Sequence, residues 1–372
     1  MMHGMRQVLI FILLICLVGC GDRVAIEDVT LTLSLGLDID KKGNLLVYQR
    51  SPVFSREAKK KTEEYGLRAW TIRQSRNEFD AVVTNLTQGG KIQSLIIGRR
   101  LLQHKEIFPY LDALYRDAKN ATNIRVIATD GPVHDVISLE PTDKPRLSIH
   151  LTHLIDTAAR RHITPKVTLR QFYYMVYEKG MTPFVSEIRR EKKEVRVTGT
   201  ALLDKNGYYR TSLNLRESML LDLLRSSKHG SYSLTIPVVF PDGTGKTTKK
   251  NVSFSVRDVK QNIQTAYQQG KFKFTINMKT NVSMTERTFH WDMAKGKKEM
   301  EQIIEKELNK QFSTLIKKMQ RHQVDPIGLG LYARAYHYNE WKIVKHDWPA
   351  AFSKASVQFA SHVEIKNIGT IN

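Results

Sequence analysis

The first twenty residues, MMHGMRQVLIFILLICLVGC, constrain this chain more than any other stretch. Arg6 supplies a short positive region, and Val8 to Val18 is an almost unbroken apolar run. A spanning helix needs about 20 apolar residues, so a run this short reads as the core of an export signal. Leu17-Val18-Gly19-Cys20 follows at once. That ending is the pattern of a bacterial lipoprotein signal: cleavage before Cys20 and a diacylglycerol on its thiol. Two acyl chains anchor stably where one binds only marginally. The other reading of the same residues is an ordinary secretory signal cut at Gly19 or later, with Cys20 incidental. On the first reading residues 1–19 are a signal peptide, Cys20 is the lipidation site, and a soluble body is tethered outside a cytoplasmic membrane.

The rest of the 372 residues is enough for two or three domains with their own cores. The only two cysteines are Cys16 and Cys20. Losing one with the signal and acylating the other leaves no thiol, which excludes cysteine nucleophiles, thiolate metal sites and disulfides. A formal charge of +21 points to a polyanion. Export removes nucleic acid and leaves anionic lipid head groups or cell-wall polymers. The basic runs are interleaved with glutamate, as in Arg189-Arg190-Glu191-Lys192-Lys193-Glu194, which is also how solvated faces keep a tethered protein soluble.

Along the chain, Thr30 to Asp40 alternates with Leu31, Leu33, Leu35, Leu37 and Ile39 on one side, predicting a half-buried strand, and Leu45 to Arg50 is its hairpin partner. Apolar spacing predicts helices over 77–86, 108–118, 147–159 and 169–179, with short buried strands at 92–97 and 124–129 between them. This half reads as mixed α and β. From about Glu194 the pattern becomes long antiparallel strands: 195–203 and 208–213 around Asp204-Lys205-Asn206-Gly207, then 231–240, 251–259 and 271–278. A helix is expected over 216–226. The longest helix runs from Gly296 to about His322, with Met300, Ile304, Leu308, Phe312, Leu315 and Met319 on one face, and a last strand covers 357–365. The fold class is therefore α+β. A mixed N-terminal region over 20–193, possibly of two subdomains, precedes a C-terminal domain over 194–372 whose antiparallel sheet is packed by the long helix.

No motif for chemistry survives inspection. Gly245-Lys246-Thr247 resembles the end of a phosphate-binding loop, but the first glycine would have to stand where Phe240 is, and a strand follows instead of a helix. Asp38-x-Asp40-x-Lys42-Gly43 has lysine at the fifth position of a calcium loop and Gln49 at the twelfth, so it is a turn. His150, His153 and His162 could place imidazoles on adjacent turns, yet there is no H-E-x-x-H and only Asp156 nearby; they read as ordinary helix histidines. A G-x-S-x-G elbow is absent. Expected are no catalytic residue, no metal and no cofactor, with any ligand-binding residue unidentified. A long-range triad stays open in principle.

Several segments, in order, resemble one family. They are Cys20 followed by Asp22 and Glu27, Gly36-Leu37-Asp38-Ile39-Asp40, and Ser94-Leu95-Ile96-Ile97-Gly98. Leu114-Tyr115-Arg116-Asp117, Gly199-Thr200-Ala201-Leu202, Asp325-Pro326-Ile327-Gly328-Leu329-Gly330, Trp341 and Trp348 complete the set. Together they resemble the Ger(x)C spore-germination lipoproteins, the C subunits of nutrient germinant receptors. Where that family typically has Cys-Trp-Asp, this chain has Cys20-Gly21-Asp22. The resemblance implies a non-enzymatic receptor subunit on the outer face of the spore inner membrane, with integral-membrane A-type and B-type subunits and membrane lipid as partners and no nucleic acid. A substrate-binding lipoprotein of a transporter is the alternative, and an exported hydrolase a third.

Overall fold

The computed structural model describes residues 25, 28–225, 231–241 and 247–368. The expected signal peptide, the expected lipidation site Cys20 and the Gly243–Lys246 part of the phosphate-loop look-alike lie outside the described residues.

The chain first lays down β1 (Val29–Leu31), β2 (Ser34–Ile39), β3 (Leu45–Pro52) and β4 (Thr62–Arg68). Then follow α1 (Ile72–Asp80), β5 (Leu86–Gln88), β6 (Ser94–Gly98), α2 (Arg99–His104), α3 (Phe108–Arg116) and β7 (Arg125–Thr129). Helices α4 (Val133–Ile137), α5 (Leu147–Arg160) and α6 (Leu169–Tyr177) lead to β8 (Phe184–Glu191), β9 (Glu194–Leu203), β10 (Tyr209–Asn214) and α7 (Leu215–Leu224). Strands β2 to β4 and β6 to β10 form one eight-stranded sheet in the order β10-β9-β8-β7-β6-β2-β3-β4. Its inner strands β8, β7, β6 and β2 are parallel, and both flanks are antiparallel hairpins.

A parallel centre needs cover on both faces. Leu95 and Ile97 of β6 join the cluster of Leu111, Leu114 and Phe172 from α3 and α6. Ile96 and Ile127 join Val133, Val136, Leu151 and Ile155 from α4 and α5. This explains a departure from the expected half-buried strand over 30–40. The stretch is two strands, and all six residues of β2 are buried. Its alternation separates bulky from small residues rather than dry from wet ones: a Cβ on Gly36 would stand 2.4 Å from Val133 of α4.

The expected helix over 77–86 lies earlier. Thr71 caps α1 by accepting the N–H of Gln74 at 3.0 Å, and Phe79 with Ser75 forms its buried face. Asp80 accepts the N–H of Thr87 at 2.7 Å, which turns the chain into β5, so Val82 and Leu86 point outward. The expected domain division at residue 193 falls in the turn between β8 and β9, and the eight-stranded sheet continues across it.

The second layer comprises β11 (Tyr232–Pro241), β12 (Thr247–Gln268), β13 (Lys271–Arg287), α8 (Met293–Arg321), α9 (Leu329–Tyr336), α10 (Tyr338–Val344), α11 (Trp348–Lys354) and β14 (Ser356–Asn367). Its four strands run in the order β11-β12-β13-β14, and α8 buries Met300, Ile304, Leu308, Phe312 and Leu315 against them. The sheet is not wholly antiparallel. β14 pairs parallel with β13, because four helices intervene and carry the chain back to the same end.

The outer edge of β14 is closed by side chains of α8. The N–H groups of Ser361, Val363 and Ile365 donate to Asn309 Oδ1 at 2.7 Å, Glu305 Oε1 at 2.7 Å and Glu301 Oε1 at 2.8 Å. Four helical residues rise about 6 Å and two strand residues about 6.6 Å, so acceptors at every fourth position meet donors at every second. Among the described residues no helix is long and apolar enough to cross a membrane.

Candidate functional site

The family-like segments converge on two places. The first is the carboxyl edge of the parallel strands, where α/β sheets usually place ligands. Asp38, near the end of β2, accepts the N–H of Val133 at 3.0 Å and that of Ile39 at 2.9 Å. Gly98 must be bare here, since a Cβ would stand 2.5 Å from Asp38 Oδ1. Burial pushes the Asp38 carboxyl up, against the pull of both N–H groups. Alongside, Arg99 pairs with Asp130 at 2.6 Å and Glu187 at 2.7 Å and lies over the Tyr209 ring. Asp38, Arg99, Asp130 and Glu187 are thus all bonded within the fold and form a fastener across β2, β6, β7 and β8. Sequence offers no signal for Arg99, Asp130 and Glu187 as a set, because up to 88 positions separate them.

The second place is the junction between the two layers, built on Asp325-Pro326-Ile327-Gly328-Leu329-Gly330. Asp325 is fully buried. Its Oδ1 accepts the N–H of Gly328 at 2.9 Å, and its Oδ2 accepts that of Gly330 at 3.0 Å and the Trp348 indole N–H at 2.8 Å. Burial drives its pKa up, and these donors oppose the shift. Gly328 has φ +85°, and a Cβ on Gly330 would lie 2.6 Å from both the Gly180 carbonyl and the Trp348 ring. The Thr182 N–H donates to the Asp325 carbonyl at 3.0 Å, and the Arg225 guanidinium donates to the Pro326 carbonyl while lying over Phe184. Arg334 of α9 holds Glu178 after α6 at 2.8 Å, and Lys318 of α8 holds Glu217 of α7 at 2.8 Å. The motif also lies at the exit of α8, which ends at Arg321, and Pro326 keeps the helix from resuming there. Its larger task, joining the layers, depends on Gly180, Arg225 and Trp348, which its spacing does not reveal.

Other sequence candidates separate. Trp341 and Trp348 are buried packing residues, the latter against Phe272 and Phe274. Gly199, at φ +145°, packs so closely on the Leu213 carbonyl that a Cβ would lie 1.9 Å away. Asp40 closes its turn through the Asn44 side chain and the N–H groups of Asn44 and Lys42, which hold its carboxyl down at about 2. His162 leaves the α5 helix, binds Asp222 at 2.7 Å and stacks on Tyr232. Among the described residues no three of His, Cys, Asp and Glu are grouped to hold a metal.

A cavity of about 40 Å³ lies between β3, α1, β5 and α3. The unpartnered polar atoms Gln49 Nε2, Thr87 Oγ1 and Asn120 Oδ1 line it. That volume admits one or two waters, far less than an amino acid or sugar. The outer surface offers more. Tyr173 and Tyr177 of α6 are exposed beside Phe108 and Tyr115, with ring centroids 4.5 to 5.6 Å apart, and Tyr174 of the same helix is exposed as well. Tyr336, Tyr338 and Ile343 are exposed on α9 and α10.

A family model described as "Spore germination protein N-terminal domain" matches residues 22–190, and one described as "Spore germination B3/ GerAC like, C-terminal" matches residues 198–369. Spore germination protein GerQC of Bacillus cereus is 20% identical over 98% of this chain and 99% of its own. Spore germination protein B3 of Bacillus subtilis (strain 168) is 22% identical over 97% of each. The crystal structure of the GerBC protein shares the fold, with a TM-score of 0.56 at 15% identity over 90% of this chain and 97% of that one. Two domain models in unbroken order, together spanning nearly the whole chain, place it plainly: it belongs to the Ger(x)C family of spore-germination proteins.

Proposed function

We propose that this chain is the lipid-anchored C subunit of a spore nutrient germinant receptor, without catalysis of its own. Family membership across both domain models, beginning two residues after Cys20, carries the reading. In it, Cys20 bears the diacylglycerol, the body sits on the outer face of the spore inner membrane, and integral-membrane A-type and B-type subunits are its partners. Arg99, Asp130, Glu187 and Asp325 at the two convergence points are committed to bonds within the fold, as suits a scaffold or coupling subunit. A transporter's binding protein would require a ligand-sized cleft between two similar βαβ lobes. Two dissimilar sheets, one eight-stranded with a parallel centre and one four-stranded, argue against it.

Spores lacking the protein should lose germination with one class of nutrient while still germinating with dodecylamine. In a strain stripped of related receptors, an unchanged response to every amino acid and sugar would remove the receptor reading. Separately, Cys20→Ala should abolish labelling by radioactive palmitate; persistent labelling would mean that the anchor lies elsewhere.

A further inference from the structure

Helix α10 carries an apolar tip. Ile343 is 81% exposed, and Tyr336 and Tyr338 are 68% and 54% exposed. The tip is firmly seated, because Trp341 is buried beneath it, with the Arg334 guanidinium 5.5 Å from its ring and Tyr338 6.1 Å away. Lysines lie beside it. Lys342 and Lys345 flank Ile343, and Lys205 donates to the His346 carbonyl at 2.6 Å. The charges of Lys179, Lys345 and Lys205 lower the pKa of His346, Lys179 most of all. The nearby acids are Glu340 and Asp347 along the chain and Glu178, which is held by Arg334. Cations from three separate segments, Lys179 after α6, Lys205 after β9 and Lys345 after α10, thus meet at His346, three residues beyond Ile343.

We propose, building on the tethered reading above, that this tip docks on the anionic lipid leaflet beside which Cys20 holds the chain. A bilayer presents acyl chains, an interfacial zone and phosphates at successive heights. An exposed isoleucine, exposed tyrosines and neighbouring lysines are the side-chain types that match these three zones. A protein partner fits less well, because lysine is depleted at the centre of protein interfaces. The lysines on the outer face of α8, such as Lys306 and Lys310, have no exposed apolar residue among them and offer charge alone. From Cys20 to Asp28 the chain reaches at most on the order of 28 Å, which keeps the body close to the leaflet.

The test uses the chain from residue 20 onward carrying Cys20→Ala, since the folded body lies within residues 28–368. Without acyl chains, the tip acts alone, so a failed anchor and a failed tip give different results. Vesicles containing phosphatidylglycerol should sediment the protein, whereas phosphatidylcholine vesicles should not. Lys342→Ala/Lys345→Ala should weaken partitioning about thirtyfold, at ~1 kcal/mol per lysine. Ile343→Ser should weaken it further while leaving the near-ultraviolet dichroism of the buried tryptophans intact. On vesicles, acetylation should spare Lys342 and Lys345 and still modify Lys306 and Lys310. Absence of binding, equal binding by the variants, or protection of the α8 lysines instead would overturn the proposal. Protection of the tip by the partner subunits but not by lipid would do the same, and would assign it to a protein.

Discussion

Asp325→Ala should lower the unfolding free energy by about 4 kcal/mol, measured by urea denaturation, because it strands three buried donors at once. Asp325→Asn should cost less, about 1–3 kcal/mol: an amide can still accept from Gly330 and Trp348 but turns its NH2 toward the Gly328 N–H. Its effect on pH dependence is the sharper observable. Burial raises the folded pKa of Asp325 above its unfolded value of 3.8. Between those two pKa values the folded chain binds the extra proton, so stability is highest below the unfolded pKa and falls as pH rises through the folded one. The Asn variant should lack this decline. Asp40, Asp156 and Glu191 have lowered pKa values and add stability as pH rises, so the test is the difference between wild type and the Asn variant. A difference that is flat or rising across the window would show that the three donors outweigh burial. The loss should also loosen the contact between layers. Hydrogen exchange should accelerate first around Gly180–Thr182 and α9, which the motif ties together.

The second large effect concerns the edge of β14. Glu301→Ala/Glu305→Ala removes the acceptors of the Val363 and Ile365 N–H groups and should cost about 3 kcal/mol. It should also open a row of strand donors to other molecules. Sedimentation velocity should therefore reveal concentration-dependent association in the double variant. Glu301→Gln/Glu305→Gln keeps carbonyl acceptors at the same places and should remain monodisperse with most of the stability restored. A double alanine variant as stable and as dispersed as the parent would mean that water satisfies that edge and that the helix covers it only by packing.

Local pattern was sufficient where packing and periodicity agreed. The amphipathic face of α8 was readable because its apolar residues recur at three and four positions and all face one sheet. The strand 195–203 and its Asp-Lys-Asn-Gly turn were equally plain, since Gly207 supplies the positive φ that a tight hairpin needs. Around residues 72–88 the pattern misled. Val82, Val83 and Leu86 keep helical spacing with Phe79, but the Asp80 carboxylate captures the Thr87 N–H and breaks the helix before they can join its buried face. β2 misled differently: its bulky and small residues alternate as bulky and polar ones do on a half-wet strand, and only the arrival of α4 over Gly36 distinguishes the two.

The sequence by itself determined the α+β class, the long helix and the family, and it alone motivates the proposed export signal and anchor. These are properties of neighbours in the chain or of segments taken in order. Only the tertiary structure decided what the individual residues do. Asp38 meets Val133 across 95 positions, Arg334 meets Glu178 across 156, and Trp348 closes on Asp325 after two intervening helices. Such contacts depend on which strands become neighbours and on where a bare glycine lets backbones touch. Hydrophobic periodicity fixes the face of each element but not its partner, so the pairings arise only when the layers assemble.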